Sequence, residues 1–186
     1  MSPKKSGPIS EGEIRTVKSP PVDGNQVREW ALRILAYRAL TAQELKERLV
    51  RKGASLSMAD KVIKDLRVQR LIDEEAIVED TVRLSREDRG ESRFGVITRL
   101  RNRGVPTSTI EKILNCQYPE EEEFSVALRW AIKRWKHLSH NKDLNNREEK
   151  LKLLRKLAGS LERRGFPYEV VGKVLREVDY HTFTED

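Results

Sequence analysis

The sequence predicts an all-helical protein: three tandem three-helix modules in an elongated, curved array, preceded by a disordered N-terminal tail. Apolar residues recur at helical spacing with no sustained two-residue alternation. A motif ending in a cation and a glycine occurs three times in register. The opening stretch is rich in Pro and Gly and poor in aliphatics.

From Met1 to Gly24 the chain carries Pro3, Gly7, Pro8, Gly12, Pro20, Pro21 and Gly24, with too few aliphatics to offset the entropy of ordering, so residues 1–24 read as a flexible tail. Its cations Lys4, Lys5, Arg15 and Lys18 belong to a solvated linker. Beyond it, Leu32, Leu35, Ala36 and Ala39, then Leu45 and Leu49, then Val62, Ile63 and Leu66 fall on helical faces. The C-terminal half repeats the habit with Phe124, Leu128, Ala131 and Trp135, then Leu151, Leu154, Leu157 and Leu161, then Val170, Val171, Val174 and Leu175. Thr41 with Glu44, and Ser108 with Glu111, have the Ser/Thr-x-x-Glu form of a capping box and predict helix starts near both. Gly53, Gly104 and Gly165 each follow basic residues, as at a helix C-terminus closed by a left-handed glycine.

Those glycines define the repeat. LKERLVRKG at 45–53, VITRLRNRG at 96–104 and LAGSLERRG at 157–165 align without gaps. An aliphatic lies eight residues before each glycine (Leu45, Val96, Leu157), a leucine four before it (Leu49, Leu100, Leu161) and a cation directly before it (Lys52, Arg103, Arg164). A second helix follows each glycine, and leading helices are expected near 26–39, 74–88 and 121–137. The modules are therefore 25–73, 74–118 and 119–180. So small a unit buries little by itself, which predicts stacked neighbours with a long surface suited to an extended partner.

Thirty-seven Lys and Arg against thirty Asp and Glu leave a formal charge of +7, favouring a polyanion or an acidic protein surface as partner. The lone Cys116 excludes an intramolecular disulfide and is expected as a small buried hydrophobe in a reducing cytosol. With no early apolar run and no stretch near the roughly 18 apolar residues of a span, the expected location is cytoplasmic, without membrane contact. No phosphate loop, nucleophile elbow or H-E-x-x-H is present, so no enzyme and no cofactor are expected. His137, His140 and Asp143 are too sparse a set to predict a metal site.

The strings A-L-R-I-L-A-Y-R at 31–38, T-A-Q-E-L-K-E-R-L-V-R-K-G at 41–53, V-I-K-D-L at 62–66 and R-L-I-D-E at 70–74 resemble the RecX family, bacterial regulators of the recombinase RecA. R-L-R-N-R-G-V at 99–105 and R-R-G-F at 163–166 extend the likeness over most of residues 28–178. The middle module departs from the family pattern. Ile77-Val78 stand where Phe-Ala is common, Thr81 where an aromatic is common, and Ser92, Arg93 and Gly95 interrupt a run nearer R-G-x-G-P-x-R-I, with Val96 keeping its apolar character. The resemblance implies modules that lie in the groove of a RecA filament on single-stranded DNA. It implies that they restrain strand exchange, ATP hydrolysis and coprotease activity in DNA repair and the SOS response, and hydrolyse nothing themselves. Composition and repeat alone imply only an extended basic binder. A helical protein acting directly on DNA or RNA is the alternative, and a scaffold for another protein a third reading. A monomer is expected, because the array already presents a long surface.

The candidate partner-binding residues, toward a RecA filament or DNA, are Lys46, Arg48, Arg51 and Lys52, then Arg99, Arg101 and Arg103, then Lys156, Arg163 and Arg164, with Lys152 and Arg155 beside them. Arginine suits the role because its planar fork binds carboxylates or phosphates through two bonds. Glu44, Glu47 and Glu162 are expected as local partners for some of these cations. Trp30, Trp130 and Trp135 are expected in the core rather than stacked on bases. The run Glu120 to Glu123 after Pro119 marks a helix N-terminus, where the macrodipole favours acids.

Overall fold

A computed structural model describes residues 23–181, in which all regular structure is helical. Of the segment read as a tail, residues 1–22 lie outside the described residues. Asp23 and Gly24 belong to the first helix, since the Asp23 carboxylate accepts the Gln26 amide at 2.7 Å. The helices are α1 (Gly24–Leu35), α2 (Ala42–Arg51), α3 (Leu56–Val68), α4 (Glu74–Leu84), α5 (Arg93–Asn102), α6 (Thr107–Gln117), α7 (Glu123–Ser139), α8 (Arg147–Glu162) and α9 (Tyr168–His181). They pack in consecutive threes.

The apolar faces close two cores. Val27, Ala31, Leu45, Leu49, Ile63 and Leu66 seal α1 to α3. A second core runs unbroken from α4 to α9 and includes Val78, Val96, Leu100, Ile110, Leu114, Ala131, Leu157, Leu161 and Val174. Each buried Val, Leu or Ile side chain contributes about 1.5–3 kcal/mol relative to exposure. The register of α1 differs from the expected stripe: Val27 and Ala31 face inward while Leu32 is 39% exposed and Ala36 and Ala39 are exposed. The helix also ends at Leu35, because the chain must turn to place Leu40 in the core directly ahead of Thr41. On α8, Leu153 takes the inward place while Leu151 faces out. Cys116 is exposed, against expectation, because the inward stripe of α6 is Ile110, Ile113 and Leu114, and position 116 turns to the opposite side.

The capping box at Thr41 forms in both directions, Thr41 Oγ1 accepting the Glu44 amide and Glu44 accepting the Thr41 amide. Ser108 is not a cap. Burial of Val105 sets Pro106 as the residue that starts α6, with its carbonyl accepting the Thr109 and Ile110 amides. The leading helix of the middle set stops at Leu84 and widens into a π turn, Ser85–Arg89, in which the buried Ser85 hydroxyl donates to Glu91 at 2.7 Å.

All three repeat glycines adopt the left-handed conformation, with φ of 106° at Gly53, 79° at Gly104 and 83° at Gly165. Each closes a Schellman motif. The amides of Ala54, Val105 and Phe166 return to the carbonyls of Leu49, Leu100 and Leu161, which buries the residue after the glycine against the leucine four before it.

The ends of these helices are also where the sets of three meet. At the first joint Thr41 Oγ1 donates to the Arg103 carbonyl at 2.6 Å and the Ala42 amide donates to Glu74 at 3.0 Å. Gln43 covers Gly104, so that a Cβ there would stand 2.4 Å from the Gln43 Cβ. At the second joint the Ser92 amide donates to the Arg164 carbonyl at 3.1 Å and the Arg93 amide donates to Glu123 at 2.9 Å. Ser92 and Phe94 cover Gly165, and Gly95 lets the Arg164 carbonyl approach, since a Cβ at 95 would lie 2.8 Å from it. Position for position, the cap, first and second residues of one middle helix engage the carbonyl and glycine ending the next, plus the glutamate opening the following leading helix. The acidic run after Pro119 therefore does more than favour a helix start. Arg93 reinforces this corner by donating to the carbonyls of Leu114 and Tyr118 and to Asn115.

Arg70 ends α3 in the left-handed region at φ 56°, which costs about 1–2 kcal/mol for a residue with a Cβ. Arg70→Gly is expected to raise stability by about 1 kcal/mol in urea unfolding, net of the added chain entropy. Gly53→Ala, in open space, is expected to lose about 1 kcal/mol. Gly104→Ala meets Gln43 as well and should lose about 1–3 kcal/mol more. Equal losses would contradict the joint.

Candidate partner-binding surface

The cations singled out in the sequence divide by what they touch. Three are held in ion pairs: Lys46 with Asp60 at 2.6 Å, Arg99 with Glu91 at 2.8 Å and Arg103 with Glu44 at 3.0 Å. The last pair bridges the first joint, so Glu44 serves a cation on α5 rather than one on its own helix, and both its oxygens accept from the Arg103 fork. Burial acts to raise the Glu44 pKa, but the Arg103 hydrogen bonds and charge and the Thr41 amide outweigh it and hold the carboxyl below its ordinary value.

The other candidates, Arg48, Arg51, Lys52, Arg101, Lys156, Arg163 and Arg164, have no carboxylate within ion-pair distance among the described residues. Arg51 donates to the Glu47 carbonyl, Arg101 to the Thr107 hydroxyl and Arg163 to the Ser160 hydroxyl. Lys52 lies 5.3 Å from the Trp30 ring centre and Arg164 lies 3.8 Å from that of Trp130. Trp30 and Trp130 occupy matching places, each one residue before a buried alanine, Ala31 or Ala131. They are half-buried shelves for the cation before the glycine. Trp135 is in the core as expected, and its indole N–H finds no acceptor among the described residues.

The structure also gathers cations that the sequence reading passed over. Lys133 and Arg134 of α7 join Arg163 and Arg164 around a cleft of about 410 Å³ between α7 and α8, with Trp130, His137, Ser160 and Asp88 completing the wall. The available signal was the i, i+3, i+4, i+7 spacing of Trp130, Lys133, Arg134 and His137, which puts them on one face of α7. Burial and the neighbouring Arg134 lower the Arg164 pKa, Glu91 opposes them, and Arg163 adds to the lowering. The cleft thus holds positive charge in excess of its acids. Among the described residues no helix is long and apolar enough to cross a membrane.

Helix triplets joined cap to glycine, with several cations held in no ion pair among the described residues, define a helical repeat protein. Two family models match the chain, described as the first three-helix domain of RecX, over residues 28–66, and the third three-helix domain of RecX, over residues 120–175. The regulatory protein RecX of Deinococcus radiodurans is 31% identical over 179 residues, covering 94% of this chain and 81% of that protein. That of Geobacillus kaustophilus is 31% identical over 157 residues, 84% of this chain, and the match spans 55% of the relative's length. The crystal structure of RecX from Lactobacillus salivarius shares the fold, with a TM-score of 0.66 at 20% identity over 84% of this chain and 97% of that one. The chain belongs to the RecX family.

Because the folded-state pKa of Glu44 lies below its unfolded value, the carboxylate stabilises the joint fully above the ordinary carboxylate pKa, and the contribution is lost as pH falls through the folded value. Glu44→Gln is expected to be less stable than the parent at neutral pH and to converge on it in acid. Urea midpoints measured across the carboxylate range check this, and parallel curves would remove the ion pair from the joint.

Proposed function

We propose that this chain regulates the recombinase RecA by binding its filament on single-stranded DNA, lying along the filament groove and restraining recombination, ATP hydrolysis and coprotease action during DNA repair and the SOS response. The supporting observation is the family membership together with a polar-jointed array whose middle helices keep Arg48, Arg51, Arg101, Lys156 and Arg163 out of ion pairs among the described residues. Such cations meet acidic protein groups or phosphates, and their attraction weakens with salt. The chain acts by docking as a monomer and performs no hydrolysis of its own. Its place of action is the cytoplasm, with the recombinase. The cationic cleft between α7 and α8 favours direct contact with nucleic acid as a second component of the same binding.

The test is the ATPase rate of the cognate RecA on single-stranded DNA, titrated with this protein, beside binding to the same DNA without RecA. Inhibition is expected at concentrations that leave bare DNA largely uncoated. Tight DNA binding without inhibition would replace the regulator with a plain nucleic-acid binder. Arg48→Ala, Arg51→Ala and Arg101→Ala combined should raise the half-inhibitory concentration about tenfold with helicity unchanged, a loss of roughly 1.4 kcal/mol. Arg103 is left out of this set because its loss would open the first joint.

A further inference from the structure

We propose that the cleft between α7 and α8 is a phosphate-oxyanion site, built to take the phosphodiester backbone of a nucleic acid or the phosphates of a nucleotide. Its volume, about 410 Å³, lies within the range of small-ligand sites. Lys133 and Arg134 enter from α7, and Arg163 and Arg164 from the end of α8. Asp88 is the acid in the wall, and neither Lys133 nor Arg134 has a partner among the described residues. Arg164 is fixed in advance: Trp130 supports its plane at 3.8 Å and its Nε donates to the Arg89 carbonyl at 3.3 Å. A guanidinium so held loses little freedom when it meets an oxyanion. The proximity of Arg134 and Arg163, which disfavours the charged form of Arg164, is relieved when an anion enters.

A carboxylate would leave most of these cations unanswered, whereas a phosphate offers several oxygens and more charge to a fork and an ammonium together. A second, smaller lobe of about 200 Å³ is lined by Arg86, Arg129 and Lys133 together with the acids Glu87 and Asp88, and Asp88, Trp130 and Lys133 are common to both; Arg86 is paired with Glu122. Lys133 therefore borders both lobes, and Arg129 continues the cationic wall beyond the larger one. The Arg164 face of Trp130 is already covered, so recognition is through charge and not through bases stacked on that face. The site rests on the nucleic-acid contact proposed above and, needing no recombinase, is tested separately from the filament reading.

The experiment is fluorescence-anisotropy titration of the full chain with a labelled oligo(dT), with ATP and inorganic triphosphate as competitors. Lys133→Glu with Arg134→Glu is compared with Lys61→Glu and Lys64→Glu, an equal charge change at exposed positions on α3. The cleft pair is expected to weaken binding at least about tenfold and the α3 pair about twofold or less. Displacement by ATP or triphosphate at matched phosphate concentration assigns the site to nucleotides; failure to displace assigns it to the polynucleotide backbone. Equal losses in both pairs, unchanged affinity in the cleft pair, or no binding of any probe would overturn the proposal. Should the reversal disturb the helicity, Lys133→Ala with Arg134→Ala is used instead. That pair should lower the log–log salt slope by about 1.4, at roughly 0.7 per phosphate on a single strand, and an unchanged slope would overturn the proposal equally.

Discussion

The arrangement depends on one main-chain constraint: each middle helix must end on a residue that turns left-handed, and glycine does so without steric cost. The turn accomplishes two things. It folds the next apolar residue back onto the leucine four before the glycine, closing the local core, and it leaves the preceding carbonyl facing outward. In the second and third triplets that carbonyl, of Arg103 or Arg164, is taken by the cap of the previous middle helix. With no side chain on the glycine, Gln43 or Phe94 can close over it. Local helix termination and assembly of the array are thus the same event.

The cations before these glycines accordingly have unequal work. Arg103 spends its fork on Glu44 across a joint, while Arg164 meets Gly95 at the place corresponding to Glu44 and lies on Trp130 instead. The substitution of glycine for an acid at the second joint is what leaves Arg164 without an ion pair. Together with Lys133, Arg134 and Arg163 it then lines the cationic cleft between α7 and α8.

Much of the fold was legible because helical periodicity and the Gly signal report local physics. The in-phase leucines became the core leucines Leu49, Leu100 and Leu161, and the Thr41 box formed as written. Misreadings arose where tertiary packing chose between two apolar faces, as in α1, where Ala31 lies inward and Leu32 outward. Ser108 failed as a cap because burial of Val105 moved the helix start upstream. Of the site, the basic residues were legible but their partners were not. Glu44 with Arg103, 59 residues apart, is a contact that no local pattern encodes. The departures at Ser92 and Gly95, read from sequence as breaks in a family pattern, are the residues through which the second joint closes.

The joints also give the chain a direction. Each is made by the start of one helix seated on the finish of the next, so two successive joints run in the same sense and the ends are chemically unlike. One end presents the finish of α2, with Arg51, Lys52 and an uncovered Gly53; the other presents the start of α8, capped by Asn146 and carrying Glu148 and Glu149. Such a molecule is a vector. A partner that is itself directional, as any nucleic-acid strand is, meets this chain differently in its two orientations.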